Sequence, residues 1–430
     1  MLTQQQQKAI EDFLYFLIDP TPGEMLLLGH SGTGKTYVTG EMIKSAQAQS
    51  NLLSLILSGS DDLRIECTAT TNKAAAVLSG AVSYDTSTIH QLLGLKVHNN
   101  LRNGTTFLKK TANYQIMHNS LIIIDEASMI DDLLLKHIRE ATVNCKVLYV
   151  LDPYQLTAMF CPTCPVYDSV PKRTQLTDIV RQRLPDGSMH PIAVVGQQFK
   201  DMVITGITPE IVFDGKYVIH ADGDEFRDRI NAEFSGQNLL DPNHAKIMAW
   251  TNNKVQAYNT YVRGLYTNTP TYMVGEQLVT NKPIAPNIKK NRIKGYSTDS
   301  IVTVVSVSAP CEYKGVEGYY IDLGNTTRVF QPYSLKAANT LINKLRKNKE
   351  YPEMFEAMEN MADLRPIHSS TIHKGQGSTF GKAFIDLDDI GKCHDLNQVA
   401  RMLYVASTRP KEQLIMYGHL PNKFKPGWSL

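Results

Sequence analysis

Cysteine is scarce. Six in 430 residues, with no secretory leader at the start MLTQQQQKAI, give the expectation of reduced thiols and a cytoplasmic protein. The single CxxC, Cys161-Pro-Thr-Cys164, lacks a second ligand pair, and Cys393-His394 lies far along the chain. Free thiols in a loop are therefore preferred over zinc. Long hydrophobic runs are also missing, since no stretch approaches about 18 apolar residues, and no membrane span is expected. Excess charge is missing too: the formal net charge is +2. A nucleic-acid partner would have to be held by local basic clusters, because no global field draws it in. Apart from four glutamines at 4–7, no internal repeat or low-complexity tract is evident.

What is present is ordinary globular composition, 42% hydrophobic and 20% charged, in a chain long enough for two to four domains. EMLLL (24–28), LIIIDE (121–126) and KVLYVLD (146–152) carry apolar runs, RIECT (64–68) looks like a further strand, and helical patterns follow EMLLL and RIECT. Such runs alternating with helices predict a parallel α/β sheet. The pattern restarts with AKIMAW (245–250), KAFIDL (382–387) and EQLIMY (412–417), which predicts a second α/β unit. Between about 278 and 337 short β-rich runs predict a small antiparallel insert. Two charged helices broken at Pro352 are expected after it. Asn103-Gly104, between extended runs in KVHNNLRNGTTFLKK (96–110), predicts a hairpin.

GHSGTGKT, Gly29 to Thr36, lies between strand EMLLL and a helix, the context a phosphate loop requires. Gly29, Gly32 and Gly34 let backbone amides, with those of Ser31 and Thr33, close around phosphates. Lys35 would reach the terminal phosphates, and Thr36 would offer its hydroxyl to magnesium. Asp125 and Glu126 emerge at the carboxyl end of a strand, where ligands of open α/β sheets bind. Asp125 would hold the metal and Glu126 would deprotonate the attacking water. Gln155, after the next strand, could sense the γ-phosphate. Arg181 and Arg409, far downstream, could stabilise charge as arginine fingers, which suggests a nucleotide clamped between two lobes. A small-molecule kinase has no need of that layout.

In this order the segments resemble the superfamily 1B helicases of the RecD-like branch over nearly the full length. LTQQQQKAI resembles the adenine-reading glutamine motif, with Gln6 the candidate by register. GHSGTGKT, TATTNKAAAVL, TSTIHQLLG and IIIDEAS resemble motifs I, Ia, Ib and II. LDPYQL and LTDIVRQ resemble III and IV, and AWTNNKVQAYN matches the strand–helix that follows. STIHKGQGSTF and LYVASTR resemble V and VI, the most specific of the set. Leu151 stands where motif III has Gly, Thr157-Ala158 where it has Pro, and Thr70 where motif Ia often has Pro. These departures bear on the coupling of hydrolysis to DNA grip.

The resemblance implies that Thr71, Asn72, Thr88, His90, Thr371, His373 and Lys374 touch the nucleic-acid strand. Hydroxyls, amides and imidazoles suit phosphate without reading bases. Gly377 of motif V would lie against the nucleotide. The resemblance also implies two tandem RecA-like parallel-sheet domains, 1–92 with 111–170 and 171–277 with 366–430. A β-hairpin pin, 93–110, would be inserted in the first, with Phe107 at its tip or stem. An SH3-like module with a helical extension, 278–365, would be inserted in the second. The expected activity is ATP- and Mg2+-dependent movement along single-stranded DNA, 5′ to 3′, with unwinding at duplex junctions, by a monomer. Replication proteins such as a single-strand binding protein are candidate partners, and no membrane is. The alternative is a nucleic-acid-dependent ATPase that displaces proteins or remodels junctions without splitting duplex, and RNA could serve as the track.

Overall fold

Both faces of the first sheet are covered, and this explains the unbroken apolar runs. The computed structural model describes residues 2–21, 23–49, 64–82, 84–100, 105–158, 161, 163–180, 182–184, 186–286, 295–324 and 328–424. The chain forms two compact units, one of residues 1–211 with 395–408, the other of 212–394 with 409–430.

In the first unit the parallel strands are β1 (Gly23–Gly29), β2 (Arg64–Ala69) and β3 (Thr86–Thr88). A hairpin of β4 (Leu95–Asn100) and β5 (Thr105–Lys110) follows, then the short β6 (Met117–His118) and the central β7 (Ser120–Asp125). β8 (Thr142–Val143) pairs with β6, and β9 (Lys146–Leu151) and β10 (Arg173–Leu176) complete the set. The six-stranded order is β10-β1-β9-β7-β2-β3. Successive residues of a strand point to opposite faces. Accordingly Leu26, Ile122, Ile124, Tyr149 and Leu151 enter one core, and Met25, Leu27, Leu121, Ile123, Leu148 and Val150 enter the other.

The second unit has five parallel strands in the order β11-β22-β21-β12-β20. They are β11 (Val218–Ala221), β12 (Ala245–Ala249), β20 (Ser369–Thr371), β21 (Phe380–Asp386) and β22 (Pro410–Tyr417). Between β12 and β20 the chain builds two small antiparallel sheets. One is β13 (Gln277–Thr280) with β14 (Ile301–Thr303) and β19 (Leu364–Pro366). The other is β15 (Ser306–Val307), β16 (Cys311–Tyr313), β17 (Val316–Asp322) and β18 (Arg328–Pro332). Leu278, Val302, Tyr319, Ile321 and Leu364 join them in one core.

Three expectations change. Residues 173–176, assigned by the sequence to the second domain, are the edge strand β10 of the first sheet, paired with β1 from Leu26 to Gly29. The helix Leu396–Ser407, expected in the second domain, groups with the first unit together with the helix Pro191–Thr205. Its apolar face, including Val399, Ala400, Leu403 and Ala406, is fully buried, and that burial places it. Pro352 does not break a helix but sits in the first turn of Tyr351–Asn360, where its missing N–H costs nothing. The chain reverses just before, at Lys349, with φ 62°.

Candidate nucleotide site and nucleic-acid edge

The loop after β1 is shaped for anions by its glycines. Gly32 and Gly34 hold φ 85° and 84°, the left-handed region that side chains avoid. A Cβ on Gly29 would stand 2.6 Å from Thr33 Oγ1, and one on Gly34 2.8 Å from Gln6 Nε2. The Thr33 hydroxyl, buried, donates to His30 O at 2.9 Å. Gln6, also buried, donates from Nε2 to Thr33 O at 3.1 Å, while its Oε1 accepts from Thr3 N at 3.0 Å. Gln6 therefore braces the loop and closes the capping box of helix Gln4–Ile18. Lys35 Nζ donates to Gly29 O at 2.5 Å and His30 O at 3.3 Å, and stands 3.8 Å from Asp152 Oδ2. Thr36 is the second residue of helix Lys35–Ala48 and is half-buried.

Asp125 and Glu126 follow β7. Glu126 has φ 52°, a conformation that costs a non-glycine residue about 1 kcal/mol. Thr70 holds it there: its hydroxyl donates to Glu126 O at 3.0 Å and its N–H to Asp125 O at 3.2 Å. A proline at 70 could make neither bond, so this departure from motif Ia has a local use. Burial and then the like charge of Glu126 push the Asp125 carboxyl up to about 7, opposed by Glu126 N–H and Lys35. A divalent cation beside it would favour the ionised form. The set of Thr36 hydroxyl, Asp125 carboxylate and glycine cradle fits a magnesium nucleotide.

The turn after β9 is built on Asp152, fully buried. Its Oδ2 accepts from Tyr404 Oη at 2.7 Å and from Gln155 Nε2 at 3.3 Å, and its Oδ1 from Tyr154 N at 3.1 Å. Tyr404 Oη in turn accepts from Ser31 N, in the phosphate loop, at 2.8 Å. Gln155 Oε1 is buried with no hydrogen-bond partner among the described residues, an acceptor that needs one. Arg181 lies outside the described residues. In the second unit Arg409 is buried, with Nη1 donating to Ser378 O at 3.2 Å, and Gly377 has φ 73°.

Strand register exposes a duplication. In the first sheet Ala69 pairs with both Thr88 and Asp125. In the second, Ala249 pairs with Thr371, and Asp386 comes one residue past Ile385, the partner of Met248. Ser87-Thr88-Ile89-His90 and Ser370-Thr371-Ile372-His373 are identical, each ending an edge strand and opening a four-residue helix. A repeat not expected from the linear sequence is thus present as two copies of one edge. Thr71, Thr88 and Thr371 accept helix amides from Ala74, Gln91 and Lys374 at 3.1, 3.2 and 3.3 Å. Among the described residues none of these hydroxyls is seen to donate, so each has a hydrogen it could offer to an anion.

Asn72, half-buried, opens the helix after Thr71. His90 and His373 are half-buried, and desolvation lowers the pKa of each, so each would meet phosphate as a neutral N–H donor. Lys374, expected to touch the strand, gives its ammonium to Asp299 Oδ1 at 2.8 Å and Asn281 Oδ1 at 2.6 Å in this structure. Phe107 pairs with His98 in the β4–β5 hairpin, but its side chain and the tip residues 101–104 lie outside the described residues.

The second copy of this edge has spent its acids internally. Asp386, fully buried, accepts from Tyr258 Oη at 2.6 Å and Lys254 Nζ at 3.1 Å. Asp389 takes the place of a bound anion, accepting from Trp250 N at 2.9 Å, Thr251 N at 2.7 Å and Thr251 Oγ1 at 2.9 Å. The helix after β11 is capped by the Asp222 carboxylate rather than by a glycine loop. Among the described residues the glycine cradle suited to phosphate therefore lies in the first unit.

Residues 19–161 match the family described as AAA domain, and residues 366–417 the UvrD-like helicase C-terminal domain. The chain is similar along its length to the ATP-dependent DNA helicase dda of Enterobacteria phage T4. Identity is 24%, covering 95% of this chain and 97% of that one. An uncharacterized protein of Acanthamoeba polyphaga mimivirus is 20% identical over 96% and 99% of the two chains. In fold the chain is similar to Pif1 helicase from Bacteroides, solved with ADP-AlF3 and single-stranded DNA. The TM-score is 0.51 at 15% identity, covering 99% of this chain and 94% of that one. A Pif1 structure described as the basis for unwinding at forked duplex by two coordinating helicases gives 0.52 at 15% identity and the same coverage. In motif order and in fold the chain thus resembles the superfamily 1B helicases.

The first unit brings together Gln6, the phosphate loop, Asp125, Glu126 and Gln155, all named from sequence. Asp152, Tyr404, His30 and Arg401 were missed. Asp152 and Tyr404 lay inside the motif III and VI segments, and their burial was the missing signal. His30 is buried and bonds Thr177 O through Nε2 at 3.0 Å, a contact between distant segments that sequence spacing does not give. All six cysteines are free thiols. Among the described residues no cluster of ligand side chains is placed to hold a metal, and no helix is long and apolar enough to cross a membrane.

Proposed function

We propose that this chain is a superfamily 1B, ATP-dependent DNA helicase that moves 5′ to 3′ on single-stranded DNA and separates duplex DNA, in phage-type replication or recombination. The observation that carries the reading is the Ser-Thr-Ile-His edge, present once in each unit, together with the one glycine phosphate cradle found among the described residues, in the first unit. Two like grips and one fuel site suit a motor that alternates its hold on one strand. When bound, magnesium-ATP supplies the free energy of phosphoryl transfer. Thr36 and Asp125 would hold the metal, and the loop amides and Lys35 the phosphates. Glu126 would take the proton of the attacking water, with Gln155 orienting it. Arg181 and Arg409 would neutralise the developing charge.

The neutral His90 and His373, with the hydroxyls of Thr88 and Thr371, would grip phosphates without regard to sequence. The β4–β5 hairpin, with Phe107, would serve as the strand-separating pin, and the β13–β19 module as an SH3-like insert. The cytoplasm, a monomeric state and contact with a single-strand binding protein complete the proposal. A junction-remodelling ATPase would use the same motor, and the hairpin favours unwinding over it.

The test is ATP-driven strand separation on duplexes with a 5′ tail, a 3′ tail or blunt ends, with turnover followed in the same reactions and Lys35→Ala as control. Separation from the 5′ tail alone, lost in the control, supports the proposal. Tail-stimulated turnover without separation points to the remodelling ATPase.

A further inference from the structure

Tyr404 is one of the largest fully buried side chains in the protein, yet its hydroxyl is fully used. It donates to Asp152 Oδ2 at 2.7 Å and accepts from the backbone N–H of Ser31 at 2.8 Å. One oxygen thus ties the phosphate loop to the turn that carries Gln155. Arg401, one helical turn earlier, ties the same turn from its other side, donating through Nη1 to Pro153 O at 2.8 Å and Gln155 O at 2.6 Å. Both side chains come from the helix Leu396–Ser407. The first unit's segment ends at Thr408, and the next residue, Arg409, belongs to the second.

We infer that Tyr404, with Arg401, is a positioning pair that fixes the turn 152–155 against the phosphate loop and hands any movement of Gln155 to the helix leading to Arg409. The physical reasons are three. Asp152 is a buried carboxylate, so a bond donated to it is charge-assisted and stronger than a neutral one. Its other close cation, Lys35, is the group expected to swing to phosphate, so the tyrosine keeps Asp152 satisfied when Lys35 leaves. Gln155 Oε1, the unpaired acceptor, sits in the turn that both side chains hold, so engaging it loads the same bonds. The chain bonds from Tyr404 to Arg409 are then a short covalent route from the fuel site to the residue proposed as its finger.

This inference rests on the ATP-driven reading above, and the experiment separates the two. Steady-state ATP turnover with saturating single-stranded DNA is measured for the wild type, Tyr404→Phe, Arg401→Gln and the double variant. Tyr404→Phe keeps the ring and removes only the hydroxyl. The expected result is a fall in kcat of about tenfold, the size of one charge-assisted hydrogen bond, with KM for ATP moving less than about threefold. Because both residues brace one turn, the double variant should lose far less than the product of the two single losses. A thermal midpoint for each variant identifies one that fails to fold, and Arg401→Gln then carries the test.

A kcat within twofold of wild type would show that Tyr404 only fills space, and a rise in KM with kcat unchanged would place it in binding; either overturns the inference. A product of losses in the double variant would overturn the shared brace. Absence of DNA-stimulated turnover in the wild type would instead overturn the helicase reading.

Discussion

Replacing Gly34 by Ala perturbs the phosphate loop at one defined point. The residue holds φ 84°, and its new Cβ would meet Gln6 Nε2 at 2.8 Å, well inside normal contact. A left-handed alanine costs about 1–2 kcal/mol. Gln6 is buried and tied at both ends, to Thr3 N and Thr33 O, so it gives way only by losing a buried hydrogen bond, about 1–2 kcal/mol more. The sum is about 2–4 kcal/mol, and if the loop relaxes instead of the protein unfolding, nucleotide affinity falls by a factor of about 30 to 900. Titration calorimetry with a non-hydrolysable ATP analogue and magnesium reads this directly. The structure adds a second expectation: Gln6→Ala removes the same hydrogen bonds, so in Gln6→Ala/Gly34→Ala the losses should overlap, and the double variant should lose less than the product of the two single losses. Binding by Gly34→Ala within threefold of wild type would refute the reasoning. A full product of the two single losses in the double variant would refute the part assigned to Gln6.

Other outcomes follow from the same physics. Asp125→Asn should abolish turnover yet raise the thermal midpoint at pH 8. The carboxyl, pushed up to about 7 in the fold against an ordinary 3.8, costs stability increasingly as pH rises between those values, so the gain should shrink toward pH 4. His368 is held down to about 3 by burial, with Lys246 and Arg263 adding to it, and its Nε2 lies 3.2 Å from Tyr266 Oη. Its folded form is neutral, so the stability it contributes is complete above its ordinary 6.5 and is lost as pH falls toward 3. Thermal scans from pH 7 to 4 should flatten in His368→Gln. Asp389→Ala should cost about 2–4 kcal/mol by orphaning the amides of Trp250 and Thr251. Binding assays should show weaker single-stranded DNA affinity and an unchanged nucleotide affinity; a loss of nucleotide binding would contradict the assignment of phosphate chemistry to the first unit.

Much of the site was legible because its chemistry is local. A glycine loop needs its glycines in sequence, and Asp125-Glu126 needs only a strand before it. Less legible were elements whose identity depends on distant partners. β10 is four residues long, with Arg173 and Gln175 exposed and Thr174 and Leu176 buried, and only its pairing with β1 makes it a strand of the first sheet. Lys374 looks like a phosphate contact until folding brings Asp299 to it from 75 residues away.

The sequence by itself determined the two α/β sheets, the phosphate loop, its acids and the order of motifs, since unbroken apolar strands and turn chemistry act over a few residues. Tertiary structure alone decided that helix Leu396–Ser407 serves the first unit and that Tyr404 meets Ser31. It also set the two Ser-Thr-Ile-His edges in the same register. The reason is physical: burial and hydrogen-bond partnership are properties of pairs of segments, and here the partners lie as far apart as 373 residues.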